Sequence, residues 1–106
     1  MNKKLDEFKK NIKGKKIAIL GMGISNIPAT NYLISLGADV TAFDKKGNEN
    51  LDKLNIKKVI GENYLDNLND FDYILRSPGI NPKYIKTNNN NCVITSEIEL
   101  LITILN

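Results

Sequence analysis

The sequence predicts an α/β domain, Rossmann-like and three layers deep, with a parallel sheet of about five strands. Three observations carry that prediction. Short apolar runs alternate with segments of helical spacing along the 106 residues; the connections between them are a few residues long, which favours right-handed βαβ units; and the first apolar run ends directly in a glycine-rich loop that opens a helix.

The elements follow in order. Leu5, Phe8 and Ile12 recur at spacings of three and four residues, one face of a short packing helix that ends near Gly14. Ile17-Ala18-Ile19-Leu20 is an apolar run bounded by Gly21, the pattern of a strand buried on both faces. The next helix has Ser25 as its cap, Pro28 in its first turn, Ile27, Leu33 and Ile34 as its apolar side and Gly37 as its stop. A second strand covers Val40 to Phe43, ends at Asp44, and leads into the loop Lys45-Lys46-Gly47-Asn48.

Beyond it, Leu51, Leu54 and Ile56 suggest a short helix, Val59-Ile60 a short strand, and Tyr73-Ile74-Leu75 a strand running straight into Ser77-Pro78-Gly79. A short helix is expected from Pro82 to Thr87, and the run Asn88 to Asn91 reads as a polar loop tip. Cys92-Val93-Ile94 supplies the last strand. Ser96-Glu97-Ile98-Glu99 has the Ser-x-x-Glu spacing of a capping box, opening an apolar helix from Ile98 to Leu105.

Composition narrows the chemistry. With 42% hydrophobic and 25% charged residues the chain is of ordinary globular composition and suits a single domain. Histidine is absent and Cys92 is the one cysteine, so a disulfide framework, a Cys/His zinc site and histidine-dependent acid–base chemistry are excluded within the chain. Cys92, beside Val93 and Ile94, is expected to be an inert, partly buried thiol. The net charge of +3 comes from scattered lysines with acidic residues between many of them, so no nucleic-acid partner is expected; with no histidine and a single cysteine, no catalytic or metal-binding residue is expected either. No apolar stretch approaches the length of a membrane span and the first residues lack the core of a signal peptide; no membrane partner and a cytoplasmic location are expected.

The candidate site lies in three loops. Gly21-Met22-Gly23-Ile24-Ser25-Asn26 stands between strand and helix, where glycines allow close backbone approach and the helix-start amides of Ile24, Ser25 and Asn26 meet an anion with the positive end of the dipole. Asn26 replaces the third glycine of the dinucleotide fingerprint. Asp44 ends the second strand about 20 residues on, where a carboxylate accepts a hydrogen bond from a ribose hydroxyl or base N–H, and Lys45 and Lys46 follow it. Ser77, Pro78 and Gly79 emerge at the same carboxyl edge, the edge at which ligands settle in open α/β sheets. On these residues alone, a nucleotide diphosphate site competes with an NAD- or FAD-binding oxidoreductase domain and with a stand-alone nucleotide-sensing module.

Leu20 to Asn26, Phe43-Asp44-Lys45-Lys46, Arg76-Ser77-Pro78-Gly79-Ile80 and Thr95-Ser96-Glu97-Ile98-Glu99-Leu100 together resemble the Mur ligases of peptidoglycan synthesis. The resemblance covers Ile17 to about Leu101. It implies that residues 1–106 form a single N-terminal domain binding the UDP moiety of UDP-N-acetylmuramoyl-L-alanine, in an ATP-dependent ligase that adds D-glutamate. Gly23, Ile24 and Ser25 would meet the diphosphate, Asp44, Lys45 and Lys46 the uracil side, and Ser77, Pro78 and Gly79 the muramoyl end. The partners implied are the UDP-linked muramoyl substrate and the remaining domains of the same polypeptide. No cofactor is expected in this stretch; ATP and Mg²⁺ belong to the full-length enzyme, whose central and C-terminal domains the chain lacks.

Overall fold

The computed structural model describes residues 3–21, 26–47, 49–96 and 99–100, without the side chains of residues 26 and 50. In chain order the elements are α1 (Lys3–Ile12), β1 (Lys16–Leu20), α2 (Asn26–Ser35), β2 (Asp39–Asp44), α3 (Glu49–Asp52), β3 (Lys57–Ile60), β4 (Tyr73–Arg76), a single 3₁₀ turn (Pro82–Tyr84) and β5 (Val93–Thr95). The five strands form one sheet in the order β3-β2-β1-β4-β5, and every pair is parallel. The predicted architecture is therefore present, with β1 at the centre and the chain turning from one side of it to the other between β3 and β4.

Alternation along the strands splits the core into two faces. Ile17, Ile19, Val40, Ala42 and Leu75 face one way and pack with Ile12 of α1, Leu33 of α2 and Leu51 of α3. Ala18, Leu20, Phe43 and Ile74 face the other way and meet Leu68 and Ile85. Residues 17–20 are all buried, as expected of a central strand with both faces covered.

The first face is closed by helices because their sequences carry stripe and stop together. On α2 the buried positions are Thr30 and Leu33, with Ile27, and Leu36 just past the helix end, partly buried; Ile34, expected on the apolar side, is exposed instead. The spacing of three residues from Ile27 through Thr30 and Leu33 to Leu36 selects that stripe. The helix ends in a Schellman arrangement: Gly37 N–H donates to the Ile34 carbonyl at 3.0 Å and Ala38 N–H to the Leu33 carbonyl at 3.2 Å. Gly37, at φ 88°, supplies the left-handed residue that this ending requires.

Among the described residues, the second face is closed without α-helix. Residues 61–72 and 85–92 lie over it as irregular chain, and the helix expected from Pro82 to Thr87 contracts to the 3₁₀ turn. Asn81 caps that turn through its side-chain oxygen on Lys83 N–H, and Ile85 leaves it extended, at φ −95° and ψ 110°, to enter the core. The asparagines offer the backbone local partners that compete with helix. Asn69 accepts from Asn88 N–H at 2.8 Å, and Asn89 donates its amide to the Phe71 carbonyl at 2.9 Å while accepting from Asn91 N–H at 3.0 Å. The Asn88 to Asn91 run is thus a clasp joining the two irregular segments, a role its composition does not announce.

Cys92 is partly buried against this face. Burial, and after it the negative charge of Asp72, raises its thiol above the ordinary value. The unfolded thiol therefore ionises first, and native stability falls as pH rises through the ordinary thiol range. We expect iodoacetamide at pH 8 to label Cys92 several-fold more slowly in the native chain than in urea; equal rates would show the thiol to be open to solvent.

Candidate functional site at the carboxyl edge of the sheet

Parallel strands place all their exits on one edge, and register decides which exits stand side by side. Leu20 of β1 is level with Phe43 of β2 and with Arg76 of β4. One residue further on, Asp44, Gly21 and Ser77 form a row across the edge. The ladder continues into that row: Gly21 N–H donates to the Phe43 carbonyl at 2.8 Å, Ser77 N–H to the Leu20 carbonyl at 2.9 Å, and Gly61 N–H to the Asp44 carbonyl at 3.1 Å. With strands about 4.8 Å apart, Asp44 and Ser77 stand roughly 10 Å from one another with the β1 exit between them.

Gly21 allows this row to close up. Its φ is 78°, and a Cβ built on it would stand 2.9 Å from Ser77 Cβ and 3.1 Å from Ile80 Cδ1. The first glycine thus serves both the turn and the approach of the β4 exit to the β1 exit. Gly23, Ile24 and Ser25 of the same loop lie outside the described residues, as does the side chain of Asn26. The chain resumes at Asn26 with the ten-residue α2, so a helix N-terminus follows the β1 exit after a four-residue interval.

On the β2 side, Asp44 is half-buried and its Oδ1 accepts from Lys46 N–H at 3.3 Å, an Asx turn that fixes the direction of the exit. Lys45 extends towards the β3 exit, where its Nζ is 3.7 Å from Glu62 Oε2 and both side chains are largely exposed. A pair so exposed contributes at most about 1 kcal/mol, so it does not commit the lysine.

On the β4 side, residues 77–80 form a tight turn. Ile80 N–H donates to the Ser77 carbonyl at 3.0 Å, and Gly79 N–H lies 3.5 Å from Ser77 Oγ. Pro78 supplies the preset φ of the second turn position. Gly79 has no positive φ and open space where a Cβ would stand, so the turn itself does not demand glycine there. Of the sequence-predicted residues, Gly21, Asp44, Lys45, Lys46, Ser77, Pro78 and Gly79 come together along this edge. The structure adds Arg76, which enters the sequence reading only as part of the family motif, and Glu62, which does not enter it. Arg76 had a signal, a lone charge ending a buried strand just before Ser-Pro-Gly; Glu62 had none, because its place beside Lys45 depends on the β2–β3 register.

At the far end of the edge, Glu99 N–H donates to Ser96 Oγ at 3.2 Å and Leu100 N–H to the Ser96 carbonyl at 2.9 Å, so Ser96 caps a helical turn after β5, the serine half of the predicted box. The apolar helix expected onward to Leu105 lies largely outside the described residues. Among the described residues no three carboxylate or thiol side chains converge as a metal site would require, and no helix is long and apolar enough to cross a membrane.

A five-stranded parallel sheet with its glycine exit between an acidic strand end and a Ser-Pro-Gly turn has the build of a Rossmann-like ligand-binding domain. Residues 15–98 match the family described as "Mur ligase MurD-like, N-terminal domain", and the chain belongs to that family. Similar proteins include one from Clostridium tetani, 49% identical over 109 residues, one from Clostridium novyi, 45% identical over 109 residues, and one from Ruminiclostridium cellulolyticum, 44% identical over 112 residues. Each bears the name UDP-N-acetylmuramoylalanine--D-glutamate ligase; the matches cover 93%, 93% and 96% of this chain and 24% of each relative. The chain therefore spans about a quarter of the length of these relatives.

Proposed function

We propose that this chain binds the UDP moiety of UDP-N-acetylmuramoyl-L-alanine, as the N-terminal domain of an ATP-dependent ligase that adds D-glutamate in peptidoglycan synthesis. The observation that carries the reading is the row of Asp44, Gly21 and Ser77 across the carboxyl edge, occupied by the motifs of a family to which the chain belongs. A nucleotide laid along that row puts its uridine at Asp44, with Lys45 and Lys46 beside it. Its diphosphate lies over the loop containing Gly23, Ile24, Ser25 and Asn26, before α2, and the sugar meets Ser77, Pro78 and Gly79. Position and charge agree, since an anion beside the start of α2 is favoured by unpaired amides and the helix dipole.

The same reading assigns the chain's part in the reaction to holding and orienting one substrate. The sequence contains no G-x-x-x-x-G-K-[ST] loop of the kind that holds ATP phosphates, so the proposal assigns ATP and Mg²⁺ no site in this chain. Those groups, and phosphoryl activation of the muramoyl carboxylate, are placed in the remaining domains of the polypeptide. A cytoplasmic location is part of the same proposal.

Titration with UDP, followed by amide shifts, tests the proposal. Shifts are expected at residues 21–26, 44–46 and 77–80; their absence at millimolar UDP, or tighter binding of NAD over the same amides, would overturn it. Asp44→Ala is expected to weaken UDP binding by about 1–3 kcal/mol, the cost of losing a buried hydrogen bond to a charged acceptor. Unchanged affinity in calorimetry would remove Asp44 from the site.

A further inference from the structure

The carboxyl end of β4 carries a cation to which the nucleotide reading gives no role. Arg76 closes a strand whose other residues are Tyr73, Ile74 and Leu75, and its side chain is only 23% exposed. Its Nη1 is 3.5 Å from the Ile80 carbonyl, and its Nη2 is 3.8 Å from Glu99 Oε1. The other oxygen of Glu99 accepts from Thr95 Oγ1 at 3.3 Å, and Glu99 N–H is held by Ser96 Oγ at 3.2 Å. One guanidinium therefore spans from the last residue of the 77–80 turn to the helical turn after β5.

An exposed ion pair would carry little meaning. This one is covered on its cationic side, and the planar fork of arginine addresses two acceptors in fixed relative directions, which a lysine cannot do. The contact to Ile80 also bears on the crowded part of the edge. Ile80 and Ser77 are the residues that stand against Gly21, so whatever fixes the Ile80 end of the turn fixes how the turn faces the β1 exit.

We propose that Arg76 is a positioning residue: it holds the 77–80 turn in the orientation that receives the sugar end of the ligand, and couples that turn to the helical turn at Glu99. The ligand half of this inference rests on the nucleotide reading above. Because Arg76 acts on the β4 side of the row, its removal affects the part of the ligand beyond the diphosphate and spares the uridine held at β2.

The test compares UDP-N-acetylmuramoyl-L-alanine with UDP by calorimetry on the wild-type chain and on Arg76→Gln, Arg76→Lys and Glu99→Gln, each first checked for an unchanged urea midpoint. Arg76→Gln is expected to weaken the muramoyl ligand about five- to tenfold and UDP less than about twofold, the loss of a charged hydrogen bond felt by one end of the ligand only. Arg76→Lys should recover part of the loss, since a point charge meets Glu99 without also holding Ile80. Equal losses for both ligands, or none for either, would overturn the proposal. Should Arg76→Gln fail to fold, the exposed Glu99→Gln must give the same selective loss at smaller size, or the idea falls. If the wild type binds neither ligand, the nucleotide reading fails and coupling is decided in the free chain. Glu99→Gln should then shift the amides of Ser77, Gly79 and Ile80 in the wild-type background and leave them unmoved in an Arg76→Lys background; equal shifts in both, or none in either, would refute it.

Discussion

Gly21→Ala is expected to destabilise the domain by about 3 kcal/mol, from two separable sources. A non-glycine residue held in the left-handed region costs about 1–2 kcal/mol, and Gly21 sits there at φ 78°. The added methyl would also enter a space in which Ser77 Cβ is 2.9 Å away. That neighbour cannot swing aside as a long side chain would, because it is fixed to a backbone whose N–H is bonded to Leu20 at 2.9 Å. Overpacking of this kind costs about 1–3 kcal/mol. Against a typical domain stability of about 5–15 kcal/mol, the substitution takes a large share, and for a chain of this size it lowers the melting temperature by at least about 10 °C. Gly79→Ala is the control: with no positive φ and nothing within 4 Å of the added Cβ, it should stay within about 0.5 kcal/mol of the wild type. Equal losses for the two in urea unfolding would mean that crowding at the β1 exit is not what glycine relieves.

Gly21 also marks how far the sequence is legible. The apolar run before it, the helix signals after it and the alternation of elements are local features, and they predict the parallel sheet because strand, loop and helix each state their own identity. The carboxyl-edge row follows from them, since parallel strands leave their exits nowhere else. What stays hidden is whatever depends on register or on a partner distant in sequence. Nothing near Gly21 says that Ser77 will stand against it, nor does Lys45 indicate Glu62, and Arg76 gains its meaning only when Ile80 and Glu99 lie on either side of it. The helix expected after Pro82 fails for a related reason. Its propensity is outweighed by Asn81 capping a tighter turn and by the demand that Ile85 turn inward to cover Ile74 and Leu20.

The same demand makes Leu68 the residue whose importance the sequence least discloses. It stands among Asp66, Asn67, Asn69 and Asp70 in a segment that forms neither helix nor strand, yet it is 1% exposed and packs with Ala18, Leu20, Phe43, Ile74 and Ile85. A face covered by helices shares its closure among many side chains. This face is covered by irregular chain, so closure falls on a few inward residues, and Phe71 gains its edge-on contact with Phe43, 5.4 Å between centroids, from the same segment. Leu68→Ala is expected to cost about 3 kcal/mol, within the range of about 2–5 for buried leucines, and towards its lower half because irregular chain can settle into the space left. Val59→Ala, at a site 40% exposed, should cost no more than about 0.5 kcal/mol. Hydrogen exchange distinguishes the mechanism from general weakening: amides of residues 62–71 should lose protection before those of α2. A loss below about 1 kcal/mol with protection unchanged would mean that the 61–72 segment is held by its asparagine clasp and not by the leucine beneath it.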